Sequence, residues 1–245
     1  MFVDFIESII YLVCVFPFIL LMVNKAVSEK LLLLLLFSFF FIMMQFFLRL
    51  PINVPELDII EGSWNWSGKI YATTASLIFY FSTKHLFQHH QYLKIQQSLN
   101  SRKKVRLIFF IILLYAIAEG LFFYNKNFNG ETLLFQATLP GIEEELAYRA
   151  IMLGLLSTLL VDKFKIFKFY IHSPTIWIIG ILFGLIHALK LNTDWSLSFN
   201  GIYFIKTFVL GVIWSWMTLK TKSILLPIVS HNLANFIPNL IGMLK

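Results

Sequence analysis

The sequence predicts an all-α fold, a polytopic transmembrane helical bundle of about eight spans. Three observations carry this. The 245 residues are 58% hydrophobic and only 13% charged, and mean hydropathy is +0.77; a soluble domain is about half apolar and a quarter charged. Apolar runs close to 20 residues, the length that crosses hydrocarbon, recur along the whole chain. The polar stretches between those runs alternate in charge. The lone cysteine, Cys14, excludes an internal disulfide and a cysteine-rich metal site. Asp4 and Glu7 stand where a signal peptide carries basic residues, and no small-residue cleavage site follows the first apolar run, so no signal peptide is expected. Repeats and low-complexity linkers are absent. One membrane domain over residues 1–245 is expected.

The candidate spans are 5–23, 31–49, 68–87, 105–124, 141–161, 174–190, 201–219 and 223–243. The third is interrupted by Thr73, Thr74 and Ser76. For the fifth, Pro140 suits a helix start. Leu133 to Leu139 is also apolar, which would make Pro140 an internal kink.

Lys25 and Lys30 mark the first loop, and Glu56, Asp58 and Glu61 the second. The third is strongly basic, with Lys84, Lys94, Arg102, Lys103, Lys104 and Arg106. Lys126 and Glu131 fall in the fourth, Lys163, Lys165 and Lys168 in the fifth, Lys190 and Asp194 in the sixth, and Lys220 and Lys222 in the last turn. Odd loops are basic and even loops are not. The positive-inside rule then makes the odd loops cytoplasmic and puts both termini of a multi-pass cell-membrane protein outside. Trp64, Trp66 and Trp195 fall at the outer boundaries, where aromatic belts sit. The basic third loop reads as this topology signal, although such a run also attracts anionic lipid. His85, His89 and His90 in it have helical metal-ligand spacing but no accompanying carboxylate or cysteine; an interfacial, solvated helix is expected there.

Membrane depth makes the remaining polar residues informative, because an intramembrane charge persists where it pairs, lines a cavity or performs chemistry. Gly141 to Arg149 reads Gly-Ile-Glu-Glu-Glu-Leu-Ala-Tyr-Arg. On a helix Glu145 and Arg149 share a face, while Glu144 points about 100° away. One carboxylate can neutralise the arginine and leave its neighbour available. The competing reading is an acidic first turn favoured by the helix dipole. Glu119, Lys206, Phe183 with His187, and His231 with Asn235 lie on four further spans. By span direction all fall in the same half of the bilayer. A shared polar cavity explains this better than isolated helix–helix hydrogen bonds.

Three motifs follow in order on separate spans: Glu144-Glu145-x-x-x-Arg149, Phe183-x-x-x-His187 and His231-x-x-x-Asn235. Together they resemble the CAAX prenyl protease and bacteriocin-processing (CPBP, or Abi) family of intramembrane proteases, over roughly residues 130–245. The resemblance assigns the catalytic helices to residues 131–245 and leaves the spans of residues 1–130 without a role. It implies that Glu144 is the general base, His187 helps hold the water, and His231 with Asn235 stabilises the oxyanion. The resemblance makes Glu145 and Arg149 a structural ion pair; Phe183, and from the shared polar layer Glu119 and Lys206, are expected in support. These types suit amide hydrolysis, which needs a water, a base and donors at the developing oxyanion. Zinc-protease and serine-hydrolase motifs are absent. Glu144, His187 and His231 are zinc-ligand types, but the resemblance favours chemistry without a metal, and no cofactor is expected.

The expected partners are membrane lipids and a short or lipid-anchored peptide or lipoprotein, with no nucleic acid. Some bacterial relatives are linked to lipoprotein N-acylation or to bacteriocin self-immunity, so acyl transfer on the same fold is the alternative. A purely packing role for the polar layer is the third reading.

Overall fold

The computed structural model describes residues 1–87, 89–98, 102–123 and 127–245. It is an all-α bundle: α1 Phe2–Met22, α2 Lys30–Asn53, α3 Trp66–Thr83, α4 Arg102–Phe123, α5 Gly130–Glu145, α6 Leu153–Leu159, α7 Pro174–Ala188, α8 Gly201–Thr221 and α9 Leu225–Leu244. A π-helical stretch, Leu146–Met152, joins α5 to α6 without a break. Two short antiparallel hairpins fill loops. They pair β1 Lys163–Ile166 with β2 Phe169–His172, and β3 Leu189–Leu191 with β4 Leu197–Phe199.

The expectation of eight spans is only partly met. Among the described residues, four helices are long and apolar enough to cross a membrane by themselves: α1, α2, α4 and α8. At 15 residues α7 is apolar but short. The chemistry explains the others, because α3, α5 and α9 give up apolarity to Lys69, Glu143 to Glu145, His231 and Asn232, which are turned into the bundle. Outward-facing side chains such as Leu21, Phe39, Ile78, Leu114 and Ile205 are apolar and exposed, as a lipid-facing surface requires.

The loops nevertheless segregate as the charge pattern predicts. Val23 bridges Leu160, and Asn24 N–H donates to the Leu159 carbonyl at 2.9 Å, joining the first loop to the fifth. Ile224 N–H donates to the Tyr92 carbonyl at 3.1 Å, joining the third loop to the last turn. The second and fourth loops meet where Glu131 accepts from Ser63 N–H at 2.8 Å and from the Trp66 indole at 3.0 Å. Lys126 of the fourth loop lies outside the described residues, as does the side chain of Arg102.

Two expectations are corrected. The fifth helix starts at Gly130, not at 141, capped by Asn129, whose side chain accepts from Thr132 N–H at 2.8 Å. Pro140 is therefore internal, and the three glutamates lie midway along a long helix rather than in an acidic first turn. The histidines of the third loop are not on an α-helix: His85 lies in a 3₁₀ turn, and His89 and His90 come after it. After Thr83 a 3₁₀ turn covers Lys84–Phe87, and irregular chain follows. Tyr92 Oη and His90 Nδ1 are hydrogen-bonded at 2.8 Å; burial pushes the phenol up to about 12 and the imidazole down.

Close backbone approach holds the site helices. Gly141 N–H donates to Asn232 Oδ1 at 2.8 Å, and a Cβ on Gly141 would meet that oxygen at 2.4 Å. On α8, a Cβ at Gly211 would meet the Gly180 Cα at 3.2 Å, so α7 and α8 pack through small residues, as membrane helices do.

Candidate active site

Eight α-helices and the π-helical stretch line a cavity of about 700 Å³. Glu144 lies on its wall, with Oε2 buried and without a hydrogen-bond partner among the described residues. That oxygen is 3.8 Å from His187 Nε2 and 3.7 Å from His231 Nε2. Three residues from separate helices thus meet around one position.

Each imidazole is turned by its other nitrogen. His187 Nδ1–H donates to the Phe183 carbonyl at 2.8 Å, one turn back on α7, so the neutral ring presents the Nε2 lone pair to the cavity. His231 Nδ1 lies 2.8 Å from Glu145 Oε1. Glu145 is also 3.2 Å from Arg149 Nη1. The expected Glu145–Arg149 pair is present, and Glu145 has a second task in orienting His231. Both members of the pair are 0% exposed.

Aromatic rings complete the seat. The Arg149 guanidinium lies over the Phe183 ring at 4.4 Å and near the Trp214 ring at 5.5 Å. Trp214 stacks on His231, centroids 4.1 Å apart and planes 11° from parallel. The indole N–H donates to Ser230 Oγ at 3.1 Å. Phe183 meets the His187 ring at 4.5 Å. The π-helical stretch that carries Arg149 begins right after Glu145; such bulges recur at functional sites.

Asn235 lines the cavity one turn beyond His231. Glu119 and Lys206 line it too and form an ion pair with each other across α4 and α8. Tyr148 contributes a buried hydroxyl without a hydrogen-bond partner among the described residues. Among the described residues, no group of three or more His, Cys, Asp or Glu side chains has the arrangement of a metal site.

Sequence reasoning missed Lys69. Its Nζ donates to Glu144 Oε1 at 2.6 Å and to Glu143 Oε2 at 2.7 Å. The signal was present: a lysine in the first turn of α3, whose direction puts it in the same layer as the other polar residues. Glu143, which had no part in the motif reading, is 0% exposed and gains one through this lysine. Asp4, Glu7 and Arg49 were also missed as a group. Arg49 pairs with Asp4 and, at 2.5 Å, with Glu7. Glu7 accepts from Leu191 N–H at 2.8 Å and so ties the β3–β4 hairpin to α1.

Fold and site define a polytopic helical membrane protein with a carboxylate–imidazole centre enclosed by its helices. Residues 127–237 match the family described as type II CAAX prenyl endopeptidase Rce1-like. This stretch holds all three motifs and is similar to that family; Lys69 and Glu119 lie outside it. Neither the curated proteins nor the solved structures gave a match.

Proposed function

We propose that this chain is a glutamate-dependent intramembrane endopeptidase that hydrolyses a peptide bond near the membrane surface in a short or lipid-anchored substrate, with no metal cofactor. The observation that supports this is the setting of Glu144 Oε2. It is a buried carboxylate oxygen that makes no hydrogen bond among the described residues and has an imidazole Nε2 on either side, at 3.7 and 3.8 Å. Both distances exceed a hydrogen bond, so the three atoms surround a position rather than bonding one another.

In this reading a water at that position donates one hydrogen to Glu144 Oε2 and the other to His187 Nε2. Glu144 takes a proton as the water oxygen bonds to the scissile carbonyl carbon. His231, held at Nδ1 by Glu145, and the Asn235 amide face the oxyanion and stabilise it. Glu144 then passes its proton to the leaving nitrogen as the C–N bond breaks. The products are a carboxylic acid and an amine, which exchange a proton to become carboxylate and ammonium, and Glu144 returns to its starting state.

The test compares membranes from cells holding wild-type protein, Glu144→Gln protein or no protein, by mass spectrometry of peptides and intact lipoproteins. A cleavage product formed with wild type alone supports the endopeptidase. An acyl chain missing from lipoproteins in the variant assigns acyl transfer instead. Full function with Glu144→Gln overturns both.

A further inference from the structure

We propose that Lys69, on a helix outside the family match, is the positioning residue for Glu144; this rests on the reading of Glu144 as the base. A carboxylate turns readily about its last torsion and can present either oxygen. Lys69 removes that freedom. Its Nζ holds Oε1 at 2.6 Å, which leaves Oε2 as the oxygen facing His187 and His231. The same ammonium holds Glu143 Oε2 at 2.7 Å and separates two adjacent buried carboxylates that would otherwise repel.

The lysine is itself firmly placed. Asn65 caps α3 by accepting from Gly68 N–H at 3.0 Å and donates to the Leu48 carbonyl at 2.7 Å. At Gly68 a Cβ would meet that carbonyl oxygen at 2.1 Å, so the first turn of α3 lies directly against α2. Lys69 follows in the chain and is 9% exposed. The N-terminal helices therefore supply a part of the site. Holding a reacting group within a fraction of an ångström is worth about 100-fold in rate.

The experiment uses cells expressing the full chain at matched membrane levels. Its readout is the set of membrane peptides and acyl forms that differ between wild type and Glu144→Gln. Lys69→Met keeps the length of the side chain and removes the charge; the proposal expects product to fall about 100-fold. Loss of a buried charge partner can also disturb folding. The double variant Lys69→Met with Glu143→Gln removes the stranded carboxylate and decides between the two causes. If Lys69 serves only to neutralise Glu143, the double variant regains wild-type product and the proposal is overturned. If Lys69 positions Glu144, the double variant accumulates normally and stays as inactive as Lys69→Met.

Two further outcomes separate this proposal from the reading beneath it. Wild-type product from Lys69→Met, with Glu144→Gln inactive, removes Lys69 alone. An empty difference between wild type and Glu144→Gln removes both.

Discussion

His231 Nδ1 and Glu145 Oε1 stand 2.8 Å apart on α9 and α5, and the same carboxylate oxygen is 3.2 Å from Arg149 Nη1. One buried oxygen thus links the arginine that neutralises it to the imidazole that faces Glu144. The ion pair and the His231 ring share one carboxylate oxygen, so damage to one is expected to reach the other.

Glu145→Ala tests this link. It strands Arg149, which is 0% exposed, and releases His231. Breaking a buried pair by removing one partner costs about 3–5 kcal/mol. The thermal midpoint of the protein in detergent should fall accordingly, and product formation should fall with it.

Trp214→Phe is expected to keep most of the ring packing on His231 and to lose the indole N–H. Ser230 is fully buried and would lose that partner. An unsatisfied buried polar group costs about 1–3 kcal/mol, a smaller fall in thermal midpoint than for Glu145→Ala.

Gly141→Ala places a methyl group 2.4 Å from Asn232 Oδ1 and 2.9 Å from the Ile228 carbonyl oxygen. Overpacking of this kind costs about 1–3 kcal/mol. Because the neighbour is α9, which carries His231 and Asn235, product formation should fall even in the fraction that folds.

Orientation is tested by cysteine labelling in a Cys14→Ser background. With the odd loops cytoplasmic, a cysteine at Glu61 or Asp194 should react with an impermeant maleimide in intact cells. One at Lys165 should react only after permeabilisation. The reverse pattern would turn the site toward the cytoplasm.

Much of this architecture was legible in the sequence, for reasons that differ from residue to residue. Glu144, His187 and His231 stood out because lipid penalises polar side chains, so each survivor in an apolar run carries information. Phe183 and Arg149 followed from one-turn spacing. Lys69 escaped because the third run is interrupted by Thr73, Thr74 and Ser76, and one lysine in its first turn passes for an interfacial residue. Trp214 and Asn232 act through ring stacking and through a bond to a backbone N–H, neither of which leaves a pattern in the sequence. The start of α5 turned on Pro140, which suits a first turn and an internal kink equally. Asn129 and Glu131 were the deciding cap and first-turn residues. The hairpins were missed because strands of three or four residues carry too few positions for alternation to show.

The central claim is that Glu144 activates water against a peptide bond. Wild-type and Glu144→Gln proteins, each in membranes, are allowed to act in H₂¹⁸O, and the new peptide C-terminus is weighed. The account predicts one ¹⁸O in the new carboxylate with wild type and no cleaved product with Glu144→Gln. Unlabelled product, or equal product from the variant, would contradict it.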